Sequence, residues 1–387
     1  MIILCKNILQ VLKQGGILLW FYLLVLLFSI HGIGVYCTIL FSIVALVYLY
    51  DKRYNDAKTL WLLLFSILYV VILFLSGNVG SYAELIGYAI SPYAFYRFGK
   101  FAVDKYAASG LLETFVLLTI FVFALNLYAS TIQDINSNGF MNLTRALETE
   151  GRGSAMSATL LGLNASLGFM GLATCFAYPK FYRNVTAILL MLMSVMSLVV
   201  VLHLVNRTGI VVLVAVTLVA MTHMLRKHKG RILVAMFVVF LILGYCLQSG
   251  LLNEDLFMAY AERNEETDIA SGGDRFWRWS EAIHHMFAYP LGWSTMRIKD
   301  YYVHNLWLDV ARVAGIFPFL CLMIATILSV KDVFKIYKAI PTILTTMMIA
   351  IYLCFFISSM VEPVIEGFPL YFYLFCMVWG MNARTHH

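Results

Sequence analysis

The sequence predicts an all-α, polytopic integral membrane protein, and three observations carry that expectation. Hydrophobic residues make up 62% of the 387 and charged residues only 12%, against roughly 25% charged in an average soluble domain. The mean hydropathy is +0.85. Apolar runs of about 18 to 25 residues recur along the chain, each enough to cross about 30 Å of hydrocarbon as a helix, and they lack the alternation of a membrane β-barrel. In lipid every backbone polar group must be satisfied internally, so such runs are read as helices.

With charged clusters as boundaries, about twelve transmembrane helices are expected, near residues 16–30, 33–50, 59–76, 81–98, 110–130, 155–178, 185–205, 209–225, 232–250, 304–330, 340–361 and 366–382. Lys6 and Lys13 ahead of the first run resemble a signal peptide, but no small-x-small cleavage site follows, so the run is read as a retained helix. The fourth run carries Glu84, Gly87, Pro92 and several tyrosines. That is polar for a lipid-facing helix and suits a re-entrant or buried segment equally well. No Gly/Ser-rich linker, low-complexity tract or internal repeat divides the chain, so residues 1–387 are expected to form a single membrane domain.

Basic clusters at 51–58, 97–105, 180–183, 226–231 and 331–338 alternate so as to fall on one side together with both termini. The positive-inside rule makes that side cytoplasmic. These clusters and the termini hold about 18 of the 27 lysines and arginines, where insertion topology needs them, so the net charge of +6 does not call for an anionic partner and nucleic acid binding is not expected. The seven cysteines are scattered through apolar runs without paired spacing and read as small core residues. On the opposite side lie two loops, 131–154 and the long 251–303 between the ninth and tenth helices.

Nine of the 27 lysines and arginines are unexplained by topology: Arg145, Arg152, Arg207, Arg263, Arg275, Arg278, Arg297, Lys299 and Arg312. Arg275 and Arg278 sit in SGGDRFWRWS, within a stretch from Phe276 to Pro290 of helical, amphipathic spacing. Phe276, Ile283, Phe287 and both tryptophans can lie at a membrane interface, which is the plainer reading of the motif. His203 and Arg207 in HLVNRTG are four residues apart and expected on one helix face. The tenth helix opens with YVHNLWLDVARVAG, placing His304 at the outer mouth and Asp309 and Arg312 inside the span, with Asp309 as the expected partner of Arg312. Packing alone could account for that pair, and headgroup contact alone for Arg207. Glu84 and Glu113 are intramembrane carboxylates. His284 and His285 are adjacent and so face differently, which disfavours a shared metal, and NEETD at 264–268 reads as a solvated loop before a calcium site.

Converging arginines beside one histidine suit a lipid-linked diphosphate as leaving group. Guanidinium binds phosphate oxygens in a fixed fork and stays charged at any working pH, so neither a metal nor another cofactor is required. Histidine suits removal of a proton from an attacking hydroxyl, with Asn305 or Asp309 orienting it.

The order NRTG, GGDRFWRW, YPLGW and HNLWLDVARVAG resembles the O-antigen ligase and polymerase superfamily over roughly residues 203–320. The resemblance implies a bacterial inner-membrane glycosyltransferase with its active site facing the periplasm, acting on undecaprenyl-diphosphate-linked oligosaccharides as donor and acceptor. It matches Arg207, Gly273 with Arg275, and His304, Asn305, Asp309 and Gly315 to the family pattern. The arginines then hold the diphosphate and His304 assists the acceptor hydroxyl, with Arg278, Arg152, His203, Asn305, Asp309 and Arg312 as further substrate contacts. GRGSAMSATL around Arg152 is a weaker match. The wording favours a surface polysaccharide polymerase, with a chain-length regulator as a further partner. An O-antigen ligase acting on lipid A-core shares the same machinery. A secondary transporter or a flippase for the same lipid is the rival of another class, and it expects related halves or a polar path between leaflets.

Overall fold

The computed structural model describes residues 2–29, 31–77, 80–107, 110–140, 142–144, 146–148, 155–175, 177–178, 184–227, 274–294 and 302–385. Almost all of these are helical. Seven helices are long and apolar enough to cross a membrane: α1 (Ile2–Leu27), α3 (Ala57–Leu75), α5 (Leu111–Asn138), α8 (Val185–His203), α9 (Arg207–Leu225), α12 (Ile316–Lys338) and α13 (Ile343–Val361). Transmembrane character therefore holds, while the expected count of about twelve is not reached among the described residues. The second and twelfth expected spans are the shorter helices α2 (Gly34–Tyr48) and α15 (Pro369–Thr385). The fourth is the polar α4 (Tyr82–Lys105). The sixth breaks into α6 (Ala158–Ser166), a 3-10 turn at Leu167–Phe169 and α7 (Met170–Cys175). The ninth, 232–250, lies outside the described residues. The tenth is split: α11 (Leu306–Ala314) ends at Gly315 before α12 begins.

The chain forms two compact units. The first comprises residues 1–123, 277–338 and 355–387, and α4 is its centre. Fourteen residues of α4 are buried, including Arg97 and Lys100, which explains why its sequence is too polar for lipid: it packs against α2, α3 and α15 instead. The α4–α15 crossing depends on two glycines. A β-carbon at Gly99 would collide with the Met377 carbonyl, and one at Gly380 with that of Tyr96. Small residues let membrane helices approach this closely. Gly380→Ala is therefore expected to cost about 1–3 kcal/mol through overpacking. Thermal unfolding in detergent checks this, with Gly32→Ala, which meets nothing within 4 Å, as the unaffected control.

Charges in this unit are neutralised by one another. Asp56 caps α3, accepting from the Thr59 N–H at 3.0 Å. It also accepts from the Tyr96 hydroxyl at 2.5 Å and the Lys100 ammonium at 3.0 Å. Burial works to raise the Asp56 carboxyl, but the Tyr96 and Thr59 donors with Lys58 and Lys100 outweigh it and hold the group below the ordinary carboxylate range. Lys58 in turn pairs with Asp332 of α12 at 2.7 Å.

The second unit comprises residues 124–276 and 339–354. Within it α6 to α9 pack together, and the first expected external loop together with the start of the sixth expected span departs from the all-helical expectation. Ala146–Glu148 (β1) and Ala155–Ser157 (β2) pair as a short antiparallel ribbon. The α8–α9 connection is sharp: Val205 is left-handed (φ 48°), and the Asn206 side chain caps α9 by accepting from the Gly209 N–H at 2.8 Å. The Asn-x-x-Gly spacing of NRTG thus starts a new helix. His203 ends one helix and Arg207 opens the next, so they do not share a helix face as expected.

Candidate functional site

The clearest constellation lies in the first unit, around the turn that leads into α11. Asp309, one turn inside α11, reaches back to the chain before it: Oδ1 accepts from the Val303 N–H at 2.8 Å and Oδ2 from the Asn305 N–H at 3.3 Å. The residue between them, His304, is thereby held with φ at +56°, a region that histidine enters more readily than most non-glycine residues. Asn305 caps α11, accepting from the N–H groups of Trp307 and Leu308, each at 3.2 Å. Its amide donates to the Met360 carbonyl at 3.1 Å. His-Asn followed by an acid four residues after the Asn is therefore a device for presenting an imidazole from a fixed backbone.

The neighbouring motifs brace this turn. The helix α10 (Asp274–Ala288) carries Arg275 and Arg278 one turn apart. From it Arg278 donates to the Tyr302 carbonyl at 3.1 Å, and the Trp279 indole N–H to the Val303 carbonyl at 3.0 Å. YPLGW closes the other end of α11, where the N–H groups of Trp293 and Ser294 meet the Arg312 carbonyl at 2.9 and 3.1 Å. Gly315 is left-handed (φ 80°), and a β-carbon there would strike the Pro290 carbonyl, so no larger residue fits. Ala282, Met286, Trp293, Val303, Leu308 and Ala311 form the shared apolar core. The amphipathic expectation holds for Phe276, Trp277, Ile283 and Phe287, which are exposed. Trp279 departs from it, turning inward to its hydrogen bond.

Two carboxylates that sequence reasoning passed over complete the cluster. Glu362, 4% exposed, places Oε2 3.9 Å from His304 Nδ1. That nitrogen is buried and has no hydrogen-bond partner among the described residues. The imidazole as a whole keeps 27% of its side-chain surface open. Glu366, on the short helix α14 (Val364–Gly367), takes the guanidinium of Arg312 on both oxygens, at 2.7 and 2.5 Å. The expected Asp309–Arg312 pair is thereby corrected, because both Asp309 oxygens are occupied by backbone donors and the arginine turns to Glu366. Asp309 lies outside the seven span-length helices. Burial pushes its carboxyl up to about 8, with Glu366 adding to the effect while the Val303 N–H, Arg312 and the Asn305 N–H oppose it. The signal that could have exposed the two acids is VEPVIEG itself: two carboxylates flanking a proline in an otherwise apolar stretch.

Beside this cluster is a pocket of about 170 Å³ lined by Tyr69, Glu84, Tyr88, Tyr302 and Glu366 among others. The Tyr302 ring faces the His304 imidazole edge-on at 6.5 Å between centroids, and Arg312 lies 5.7 Å from the centre of the same ring.

The structure thus gathers His304, Asn305, Asp309, Arg312 and Arg278 in one unit. Arg207, Arg275 and His203 belong to the other unit. There His203 is fully buried, with Nε2 2.7 Å from Asp134 Oδ2 and Nδ1 3.0 Å from the Phe140 carbonyl. Both of its nitrogens are engaged, so it anchors the end of α5 to α8 and the segment beyond. Arg145, Arg152, Gly273, Arg263, Arg297 and Lys299 lie outside the described residues. Comparison with protein-family models and with curated proteins gives no match to this chain.

Chemically, the His304 turn can accept a proton: its backbone is fixed, a carboxylate stands behind the imidazole, and part of the ring remains open. In this it resembles the base-and-orienter arrangement of nucleophile-activating sites.

Proposed function

We propose that the chain is a multi-pass bacterial inner-membrane glycosyltransferase of the surface-polysaccharide polymerase type, with both termini cytoplasmic and His304 facing the periplasm. The observation that carries this reading is the His304 turn, held by Asp309 and Asn305 with Glu362 behind the ring. In the proposed step an acceptor sugar hydroxyl attacks the anomeric carbon of a glycan linked to undecaprenyl diphosphate. Its proton passes to His304, the bond from the anomeric carbon to the diphosphate oxygen breaks, and the lipid diphosphate leaves with the electron pair. Arg207 and Arg275, with Arg278 and Arg152, are assigned the departing charge through the family resemblance. Inversion at the anomeric carbon follows from a single displacement.

The test is reconstitution with a defined undecaprenyl-diphosphate oligosaccharide in the presence of chelator. Longer lipid-linked products support the polymerase. Product formed only on added lipid A-core makes the protein a ligase. Movement of the lipid across the bilayer without new glycosidic bonds removes the enzyme reading and leaves a flippase.

A further inference from the structure

We infer that the pocket lined by Tyr69, Glu84, Tyr88, Tyr302 and Glu366 binds an uncharged sugar ring, and that it selects neutral sugars against acidic ones. Within the proposed function this ring is the terminal sugar of the acceptor, so that part of the inference rests on the glycosyltransferase reading.

The pocket's charge comes first. Its two ionisable carboxylic acids, Glu84 and Glu366, line a volume of about 170 Å³. Arg312 chelates Glu366 with both contacts on its carboxylate and lies over the Tyr302 ring. Among the described residues no lysine or arginine lines the pocket. Because Arg312 already neutralises Glu366, the charge left uncompensated is that of Glu84, and a phosphate or a uronate entering here would meet it with no lysine or arginine lining the pocket among the described residues, an arrangement that disfavours anions. The pocket is therefore unsuited to the diphosphate, which must lie elsewhere.

Its surfaces come second. Tyr69 and Tyr88 are buried and meet edge-to-face, 5.1 Å between centroids at 65°, while Tyr302 is half exposed. A pyranose has apolar C–H faces and a rim of hydroxyl donors. Tyrosine rings suit the faces, and carboxylate oxygens accept from the rim in charge-assisted hydrogen bonds. A concave site with mostly rigid walls and a few placed polar groups is the usual form of a small-ligand site. At about 170 Å³ the pocket is smaller than those that enclose drug-sized ligands, which limits its occupant to about a single ring.

Its position comes third. Tyr302 is both a wall of the pocket and the neighbour of the His304 imidazole. A sugar stacked on that ring would present a hydroxyl toward the base. Glu84 stands in the first turn of α4, where its own N–H is held by the Ser81 hydroxyl at 3.2 Å, so its backbone position does not depend on its side chain.

Saturation-transfer NMR on the full chain in nanodiscs tests this, with methyl glycosides of neutral hexoses and of hexuronic acids as probes. Transfer to the neutral glycosides and little to the hexuronides is expected. Glu84→Gln should weaken neutral binding about tenfold, the loss of one charge-assisted hydrogen bond. Glu84→Lys and Tyr302→Ala should abolish it, and unchanged melting of these surface variants shows that the fold persists. Equal transfer from wild type and both variants, or a preference for hexuronides, overturns the inference even if the protein elongates glycans. In the reconstituted reaction Glu84→Gln should raise the acceptor KM with kcat retained. Should wild type bind neutral glycosides in this variant-sensitive way yet form no glycosidic bond, the pocket stands and the glycosyltransferase reading falls.

Discussion

His304→Ala is expected to reduce glycan elongation by at least about a hundredfold, the low end of what a positioned general base contributes. Membrane insertion and the fold should be retained, with stability lowered by about 1 kcal/mol because alanine tolerates the left-handed position less well than histidine. The imidazole forms no hydrogen bond through Nδ1 among the described residues, and the turn is held by Asp309 and Asn305 through backbone groups that alanine leaves in place. Loss of activity with an intact fold is thus the signature of chemistry at the ring. Glu362→Gln keeps the shape but removes the charge 3.9 Å from Nδ1, so its rate should fall between wild type and His304→Ala. The measurement is the length distribution of lipid-linked product in the reconstituted system. Wild-type chain lengths from His304→Ala would remove the residue from the mechanism.

Arg312→Met is the second large effect, and it falls on stability. Arg312 is 5% exposed, and its guanidinium donates to both oxygens of Glu366, whose side chain is itself largely buried. Removing one member of such a pair strands the other, at a cost of about 3–5 kcal/mol. The Tyr302 ring also loses the cation beside it. Glu366→Gln combined with Arg312→Met removes both charges and should recover most of the loss. Unfolding in detergent followed by intrinsic fluorescence would show this, and a single variant as stable as wild type would mean the pair contributes nothing.

Local features of the site were legible in the sequence, and non-local ones were not. HNLWLDVARVAG places His304, Asn305, Asp309 and Arg312 within about two turns of chain, so their proximity follows from helical spacing. The same spacing suggests Asp309 as the partner of Arg312, and it misleads because it cannot register that Asp309 turns toward the backbone of residues 303 and 305. Glu362 and Glu366 reach the site across more than fifty residues, and no period in the sequence encodes that approach. Similarly, apolar content locates α8 and α9, but the left-handed Val205 and the Asn206 cap that separate His203 from Arg207 lie at a boundary, where periodicity is least informative. The polarity of the fourth run did carry its meaning: α4 is buried among helices, and its charges are neutralised there.

The left-handed backbone at position 304 sets folding and chemistry against each other. An L-residue confined to that region sheds backbone strain when the chain melts, whereas glycine carries none there. A selection for heat resistance alone would therefore drift toward glycine or asparagine here, yielding hardier molecules from which the imidazole has vanished.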